Sequence, residues 1–320
     1  MKACVDLGGT KIAVSLVDAG PEMSLEQALS ALQSRRSEPT EKAGPPGTVA
    51  RQVLRMLGQA CDAAGIREQD IEAVGVSSCG PFVMGEGMLE ISNPNICGGM
   101  AGPARGLPND WVSVPLEAPL RDRFAEKLRL ENDGIGALQA ERRWGALQGV
   151  DSCVYVTWST GIGFGLCVDG NILRGKHGNA GHAGHSFVSD NDDALCGCGN
   201  VGDLEALVAG NAIARRFAAQ GYAGATALFA AARAGDAAAL AIVDELCRVM
   251  GRGLYNLVTT LDLQRISIGG GVFWNHRDFL LPRLQAQLRG RLPALTEGVE
   301  VVAAGLGERV GDFGALALVS

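Results

Sequence analysis

The chain has 320 residues, of which 47% are hydrophobic and 20% are charged, and its mean hydropathy is +0.13. These values exclude a disordered chain, and the length predicts two domains that meet at a cleft. A formal net charge of -7 disfavours nucleic acid as a partner, and no apolar run approaches the ~20 residues that cross a bilayer. Nine cysteines without disulfide-framework spacing, and an N-terminus without a signal-peptide core, predict reduced thiols in a cytoplasmic protein that uses no membrane.

Two segments share the same arrangement of a strand, a glycine turn and a second strand. The first occupies residues 3–18, with Gly8-Gly9-Thr10 at the turn. The second occupies residues 153–170, with Ser159-Thr160-Gly161-Ile162-Gly163 at the turn. Both patterns are typical of β-hairpins, and their separation is about one domain length. The sequence therefore predicts an internally duplicated fold.

The remaining periodicities predict alternating helices and strands, which indicates an α/β protein. Segments 20–47 and 85–115 are rich in Pro and Gly, and we expect surface loops there. In chain order, the other elements are a helix at 48–64, a strand at 71–77 that ends at Cys79-Gly80-Pro81, a helix at 236–261, a strand at 265–268 that runs into Gly269-Gly270-Gly271, a helix at 278–291, a strand at 299–303 and a helix at 310–319.

The glycine turns are candidate phosphate-binding sites. A turn without side chains lets backbone N–H groups and a hydroxyl approach a phosphate closely. Taken alone, the turn at Gly8-Gly9 is equally consistent with an ordinary tight hairpin, but the second copy favours phosphate binding. Gly269-Gly270-Gly271 adds a surface suited to the flat face of a nucleoside. A nicotinamide-binding motif is excluded because Gly161 and Gly163 lie between two strands, where that motif requires a strand and a helix.

Five motifs resemble, in order and spacing, those of ROK-family sugar kinases. They are Asp6-Leu7-Gly8-Gly9-Thr10-Lys11, Glu131-Asn132-Asp133, Ser159-Thr160-Gly161-Ile162-Gly163, Cys196-Gly197-Cys198-Gly199 and Gly269-Gly270-Gly271. The resemblance covers nearly the whole chain. It implies a duplicated ribonuclease-H-like fold, as in actin-like ATPases and hexokinases, with two lobes around a cleft. The expected lobes are residues 1–130 joined by the C-terminal helix 308–320, and residues 131–307 with a zinc loop at 185–203.

The same resemblance implies an ATP-dependent kinase, acting with Mg²⁺, that phosphorylates a hexose hydroxyl, in the manner of a glucokinase and at the 6-hydroxyl. Asp6 resembles the residue that approaches Mg²⁺ through water. The expected nucleotide-binding residues are Asp6, Gly8, Gly9, Thr10, Lys11, Ser159, Thr160, Gly161, Gly163, Gly269, Gly270 and Gly271.

Asp133 is the candidate catalytic base. Phosphoryl transfer to a sugar needs one group that accepts the hydroxyl proton, and otherwise positioning and charge neutralisation. Asp133 stands between a predicted strand end and a predicted helix, so an N-cap is the alternative that the residues themselves favour. The resemblance instead implies that Asn132 binds the sugar and that Asp133 is the catalytic carboxylate.

The expected sugar-binding residues also include Gly80, His182, His185 and Glu205. The family carries a Glu-x-Gly-His motif where this chain has His182-Ala183-Gly184-His185. His185 takes the place of the family His and Glu205 that of a second sugar-binding Glu. His182 replaces the family Glu, so it either alters recognition of the sugar or turns away from the pocket.

The family zinc site combines that His with three cysteines, in the pattern Cys-x-Cys-Gly-x-x-Gly-Cys. This chain has Cys196 and Cys198, but Asp203 stands at the third cysteine. Zn²⁺ accepts carboxylate oxygen as well as thiolate and imidazole. A structural zinc ion held by His185, Cys196, Cys198 and Asp203 is therefore expected, and a metal-free loop with two thiols is the alternative.

Other functions fit the sequence less well. Some ROK proteins are transcription regulators with a preceding DNA-binding module, which the acidic charge and the early first hairpin disfavour. A sugar-binding regulatory protein without catalysis is disfavoured by the intact Asp133. The sugar itself is open: glucose, or an N-acetylhexosamine, fructose or allose. Sugar and ATP are the expected ligands, and a homodimer is the expected assembly.

Overall fold

The computed structural model describes residues 1–18, 23–100, 102, 106–190 and 194–320. It divides into two units. The first comprises Met1–Trp144, Arg174–Ala180 and Arg309–Ser320, and the second comprises Gly145–Leu173 and Gly181–Glu308. The first unit thus extends 14 residues beyond the predicted lobe end at 130, and it includes the short segment Arg174–Ala180.

The regular elements of the first unit form two sheets and the helices packed on them. They are strands β1 (Lys2–Leu7), β2 (Lys11–Val17), β3 (Leu32–Pro39), β4 (Ala73–Ser78), β5 (Phe82–Gly85), β6 (Met88–Ile91), β7 (Val114–Pro115) and β8 (Leu128–Asn132), and helices α1 (Leu25–Ala31), α2 (Thr48–Ala64), α3 (Glu117–Phe124) and α4 (Asp133–Trp144).

The second unit follows a similar plan, and the chain then ends with a helix in the first unit. The elements of the second unit are strands β9 (Cys153–Trp158), β10 (Ile162–Val168), β11 (Asn171–Ile172), β12 (Arg265–Gly269) and β13 (Glu300–Ala303), and helices α5 (Leu204–Val208), α6 (Gly210–Phe217), α7 (Ala225–Arg233), α8 (Ala237–Leu261), α9 (Gly271–Trp274), α10 (Arg277–Leu288) and α11 (Pro293–Thr296). The final helix is α12 (Val310–Ala317).

The two main sheets have matching strand orders, which confirms the predicted duplication. The first sheet is ordered β3-β2-β1-β4-β8 and the second β11-β10-β9-β12-β13. In each sheet the glycine-turn hairpin is antiparallel, and its first strand pairs in parallel with the strand on the other side. Each unit also has its own hydrophobic core. This is the α/β fold that the sequence predicted.

The prediction of a loop at 20–47 was wrong over most of its described part, which forms α1 and β3, whereas at 85–115 it was wrong only where β5 ends and where β6 and β7 lie. Helix α1 begins at a capping box in which the Ser24 side chain accepts from the Gln27 N–H, and the Gln27 side chain accepts from the Ser24 N–H. Strand β3 pairs with β2 although most of its side chains are exposed. Strands β6 and β7 are four and two residues long, too short for a visible alternation. Residues 20–22, 101 and 103–105 lie outside the described residues.

Helix α12 packs against β1, β4 and α4 at unusually small separation. A Cβ atom on Gly75 of β4 would lie 2.2 Å from the Ala315 carbonyl oxygen, and one on Gly311 would lie 2.6 Å from Asp6 Oδ2. Glycine is therefore required at both positions, because no side chain fits between the helix and the sheet. Further along, the rings of Trp144 and Phe313 meet edge to face with centroids 5.6 Å apart.

Within the described residues, no single helix is long and apolar enough to cross a membrane, and one pair, α7 with α8, passes the same length and composition test only as a combination bent by 118°.

Candidate functional site

The predicted residues of the first unit meet at one edge of its main sheet. Strands β1, β4 and β8 run parallel as neighbours, and Leu7 pairs with Ser78, which pairs with Asn132. The chain leaves this row of paired residues through Gly8, Cys79 and Asp133. The carboxyl ends of parallel strands are the usual location of ligand sites in α/β proteins.

Asp133 is the first residue of α4, and its surroundings favour the protonated carboxyl. Burial and the negative charge of Asp6 raise its pKa to about 7, although the Gly134 N–H partly offsets this by donating to Oδ1 at 2.8 Å. The same Gly134 N–H also lies 3.0 Å from Asn132 Oδ1. The Asn132 side chain therefore accepts the N-cap hydrogen bond from Gly134, the second residue of α4, and Asp133 is not the N-cap.

Asp6 lies beside the start of α12 in an acidic environment. Burial, with the charge of Asp312, raises the pKa of Asp6 to about 6, and Lys11 and Arg35 oppose the rise. Asp312 is itself buried and paired: Arg35 Nε lies 3.1 Å and 3.2 Å from its two oxygens, and Arg309 Nε lies 3.3 Å from Oδ2. Asp6 therefore interacts electrostatically with two other carboxyl groups, those of Asp133 and Asp312.

The first glycine turn is held in place by a neighbouring residue that the sequence did not reveal. The Gly8 N–H donates to the Lys11 carbonyl at 2.9 Å, so it is engaged within the turn. The buried Thr40 donates its hydroxyl to the Gly8 carbonyl at 2.8 Å and its N–H to the Thr10 carbonyl at 3.0 Å. Thr10 and Lys11 are exposed, so their side chains are available to a ligand.

Gly80 and Gly9 are linked through two asparagines. Asn93 donates its amide to the Gly80 carbonyl, and its Oδ1 accepts from the Asn95 N–H at 2.8 Å. A Cβ atom on Gly9 would lie 2.8 Å from the Asn95 Cβ. Glycine at position 9 is thus required by packing as well as by any approach of a phosphate.

The second glycine turn is bonded to Glu205. The Ile162 N–H donates to Glu205 Oε2 at 2.9 Å, and a Cβ atom on Gly161 would lie 2.7 Å from the same oxygen. The Ser159 N–H donates to the Gly161 carbonyl at 3.0 Å and so closes the turn. Thr160 is exposed, and Gly163 pairs with Thr157 across the hairpin.

The third glycine segment lies next to this turn. Gly269 pairs with Thr157 across the sheet, and Gly270 has φ +86° with no space for a side chain, since its Cβ would lie 2.5 Å from the Trp158 carbonyl oxygen. Gly271, by contrast, has open space around it. The second unit therefore brings the Ser159–Gly163 turn and the Gly269–Gly271 segment together, as predicted for a nucleotide site.

The four predicted zinc ligands form a compact cluster. One donor atom from each of His185, Cys196, Cys198 and Asp203 lies within 4.8 Å of the others. His185 Nδ1 is 3.3 Å from Asp203 Oδ2 and 3.6 Å from Cys196 Sγ, and Cys198 Sγ is 3.7 Å from Asp203 Oδ2. Nitrogen, sulfur and oxygen donors at this spacing fit a tetrahedral zinc ion.

Asp203 has two functions that a cysteine could not combine. Its Oδ1 accepts the Ala206 N–H at 2.7 Å and caps α5, while Oδ2 faces the cluster. The His185 hydrogen bond and the Ala206 N–H keep the pKa of Asp203 below its ordinary value although its burial acts in the opposite direction. The carboxylate at this position is therefore held ionised, as a metal ligand must be.

His182 and Glu205 each contact one member of the cluster. The rings of His182 and His185 are nearly parallel, at 19°, with centroids 6.2 Å apart. Glu205 Oε1 lies 3.6 Å from Cys196 Sγ. Glu205 thus connects the cluster to the second glycine turn.

Comparisons with known proteins identify the same family as the sequence motifs. A family model described as "ROK family" matches residues 2–320. Glucokinase of Aeropyrum pernix is 29% identical, over 98% of this chain and 95% of its own. N-acetylmannosamine kinase of Citrobacter koseri is 32% identical, over 84% of this chain and 82% of its own. The crystal structure of a ROK family glucokinase from Streptomyces griseus with glucose and AMPPNP is 28% identical, with a TM-score of 0.72 over 98% of this chain and 97% of that one.

The raised pKa of Asp133 predicts a pH-dependent stability effect. An acid whose pKa rises on folding, here from 3.8 to about 7, makes the folded state less stable as pH increases between those values. We expect Asp133→Asn to raise Tm above pH 7 and to lose that advantage towards pH 4. Thermal unfolding across this range measures the difference, with the exposed Asp62→Asn as control. An equal change in Tm at every pH would contradict the assignment.

Proposed function

Since the chain belongs to the ROK family, we propose that it is an ATP-dependent sugar kinase that transfers the γ-phosphoryl group of ATP to a hexose hydroxyl, the 6-hydroxyl. The observation that carries the proposal is the position of Asp133 at the carboxyl end of β8, next to Asp6 and the first glycine turn, with a pKa near 7. Relatives named glucokinase and N-acetylmannosamine kinase support the same activity.

The proposed reaction needs one proton acceptor. Asp133 accepts the proton of the sugar hydroxyl while the hydroxyl oxygen forms a bond to the γ-phosphorus. The bond from that phosphorus to the β,γ-bridging oxygen breaks, and ADP leaves with the electron pair. A base whose pKa lies near the working pH is ionised in a substantial fraction of the molecules and still takes up a proton readily. Mg²⁺ bound with ATP supplies charge neutralisation, and Asp6 is the residue that would hold it through water.

The nucleotide is assigned to the glycine segments. Gly8, Gly9, Thr10 and Lys11 in the first unit, and Ser159, Thr160, Gly161 and Gly163 in the second, are proposed to contact the phosphates. Gly269, Gly270 and Gly271 are proposed to face the nucleoside. The support is the exposed hydroxyls of Thr10 and Thr160, the exposed Lys11 ammonium and the open space at Gly271.

The proposed sugar-binding residues are Gly80, Asn132, Asp133, His182, His185 and Glu205. Glucose is the first candidate substrate, because two glucokinases are 29% identical over nearly the full chain. An N-acetylhexosamine is the second, because the N-acetylmannosamine kinase is 32% identical over a shorter span. A panel of hexoses and N-acetylhexosamines, assayed with ATP for sugar-dependent ADP release, decides between them. Fructose and allose belong in the same panel.

Asp133→Asn tests the catalytic assignment. The amide keeps the shape of the carboxyl but cannot act as the base, so we expect turnover to fall by at least ~10² while sugar binding persists. Steady-state kinetics and calorimetric sugar binding measure the two effects. Asp62→Asn, an exposed change in the same unit, is the matched control. Turnover within a few-fold of the wild type would show that another group is the base.

We further propose a structural zinc ion at His185, Cys196, Cys198 and Asp203. The ion would fix the segment that carries His182 and His185, and it would tie this segment to α5 through Asp203. The compact donor set and the ionised Asp203 support it. The second turn is connected to the same cluster through Glu205.

Elemental analysis tests the zinc proposal. We expect about one zinc per chain in protein purified without chelator. Cys198→Ser is expected to lower both zinc content and sugar affinity, because His185 would serve metal and sugar together. Asp203→Asn keeps a cap for α5 but weakens the oxygen ligand, so it should lose zinc with little effect on folding. Wild-type protein that contains no zinc would refute the proposal.

His182 is proposed to alter sugar recognition. A carboxylate accepts hydrogen bonds from two hydroxyls, whereas a neutral imidazole offers one donor and one acceptor. We expect His182→Glu to shift the preference among C2 and C3 epimers and to flatten the change in apparent sugar affinity between about pH 5.5 and 8. Values of kcat/KM for glucose, mannose, allose and N-acetylglucosamine measure this in both proteins. Unchanged ratios would mean that His182 packs against the zinc loop and does not contact the sugar.

A homodimer in the cytoplasm is the proposed state of the enzyme. None of the nine cysteines, all of which lie in the described ranges, forms a disulfide, which is compatible with a reducing compartment. Light scattering of the purified protein measures the assembly directly.

A further inference from the structure

The segment Arg174–Ala180, here called the strap, belongs to the first unit although the chain on both sides of it belongs to the second. Its ends are drawn together by a hydrogen bond from the Ala180 N–H to the Arg174 carbonyl at 3.0 Å. Gly175 and Gly178 have φ values of +70° and +73°, which allow the tight path between the ends. No motif discussed above accounts for the strap.

One end of the strap is fixed beside the candidate catalytic base. Arg174 Nε lies 2.5 Å from Glu131 Oε1, and the Glu131 side chain is only 17% exposed. Glu131 lies in β8 and is followed by Asn132, the last residue of that strand, and by Asp133, the first residue of α4. The Arg174 side chain is 49% exposed, so the pair lies at the surface, and its contribution is to hold the position of Glu131 more than to add stability. Arg174 therefore restrains the end of β8 from which both proposed substrate-binding side chains project.

The other end of the strap is fixed to β5, an edge strand of the three-stranded sheet β5-β6-β7 of the first unit. The Asn179 side chain accepts the Phe82 N–H through Oδ1 at 2.7 Å and donates through Nδ2 to the Phe82 carbonyl at 2.7 Å. β5 has β6 on one side only, so Asn179 satisfies backbone groups that an edge strand would otherwise expose. Phe82 follows Gly80, a proposed sugar-binding residue, by two positions.

We propose that Arg174 and Asn179 are positioning residues for the sugar, acting through Glu131 at the end of β8 and through Phe82 beside Gly80. The inference rests on the proposed function, since both anchored elements carry residues assigned to the sugar. Arg174 bonds to Glu131 and Asn179 bonds to Phe82, and both partners lie next to residues assigned to the sugar, so loss of these bonds should weaken sugar binding more than ATP binding.

Asn179→Asp tests the proposal with almost no change of shape. The variant still accepts the Phe82 N–H, but it replaces the donor to the Phe82 carbonyl by a charged acceptor. Loss of one hydrogen bond to a backbone carbonyl, or its replacement by a repulsive contact, changes an equilibrium constant by roughly tenfold. We therefore expect KM for the sugar to rise about tenfold or more, with KM for ATP within about twofold.

Substitutions of Arg174 provide an independent test, in which a conservative variant is expected to restore part of the lost sugar affinity. Arg174→Gln should raise the sugar KM, and Arg174→Lys, which keeps the charge opposite Glu131, should recover part of the loss. Lys176→Gln, an exposed change inside the strap, is the matched control.

Asn179→Ala should also speed hydrogen exchange in the peptide that contains Phe82, while Tm stays close to that of the wild type.

The outcomes separate the inference from the function on which it rests. A wild-type protein that releases no ADP with any sugar of the panel would remove the proposed function, and the inference with it. An active wild type whose strap variants leave the sugar KM unchanged, or raise the KM values for sugar and ATP equally, would overturn the inference alone.

Discussion

The close contact between α12 and the first sheet is the constraint on which the candidate active site depends. A Cβ atom at Gly75 would lie 2.2 Å from a helix carbonyl, and one at Gly311 would lie 2.6 Å from Asp6. With no side chains between them, the helix brings the buried Asp312 near Asp6, and burial together with the charge of Asp312 raises the pKa of Asp6. Burial of Asp133 itself, and then the negative charge of Asp6, raise the pKa of Asp133. Backbone packing at glycine positions thus contributes to the electrostatic environment of the proposed base.

The duplication explains why two glycine turns are present and why they differ. In both sheets the turn follows a strand that has a parallel neighbour, so it emerges at the carboxyl edge. The first turn is secured by Thr40, whereas the second is secured by Glu205. Because Glu205 also faces Cys196, the second turn is connected to the cluster of His185, Cys196, Cys198 and Asp203, and the first has no equivalent connection among the described residues.

The exchange of cysteine for aspartate in the cluster is compatible with metal binding because the carboxylate has two oxygens. At Asp203 one oxygen caps α5 and the other faces the remaining donors. A thiolate offers one strong ligand atom and a poor cap. The change therefore adds a link between the cluster and a helix while it keeps the number of ligands. The family's usual residue at this position would depend on other contacts to hold the helix end.

The sequence by itself determined the hairpins with their glycine turns, the long helix α8 and the position of Asp133 where β8 ends and α4 begins, and the spacing of His185, Cys196, Cys198 and Asp203 indicated the cluster that they form. Each of these is a local pattern: a turn chemistry, a period of 3.6 residues or a short spacing of donor residues. It also contained the Ser24 and Gln27 capping box that marks α1, a signal that could have been found. Only the tertiary structure decided that β3 is a strand, because its evidence is the ladder with β2 and not its exposed side chains. The same holds for Thr40, Asn179 and Asp312, whose partners lie 32, 97 and 277 residues away. Such contacts arise when the chain packs, and no local preference encodes them.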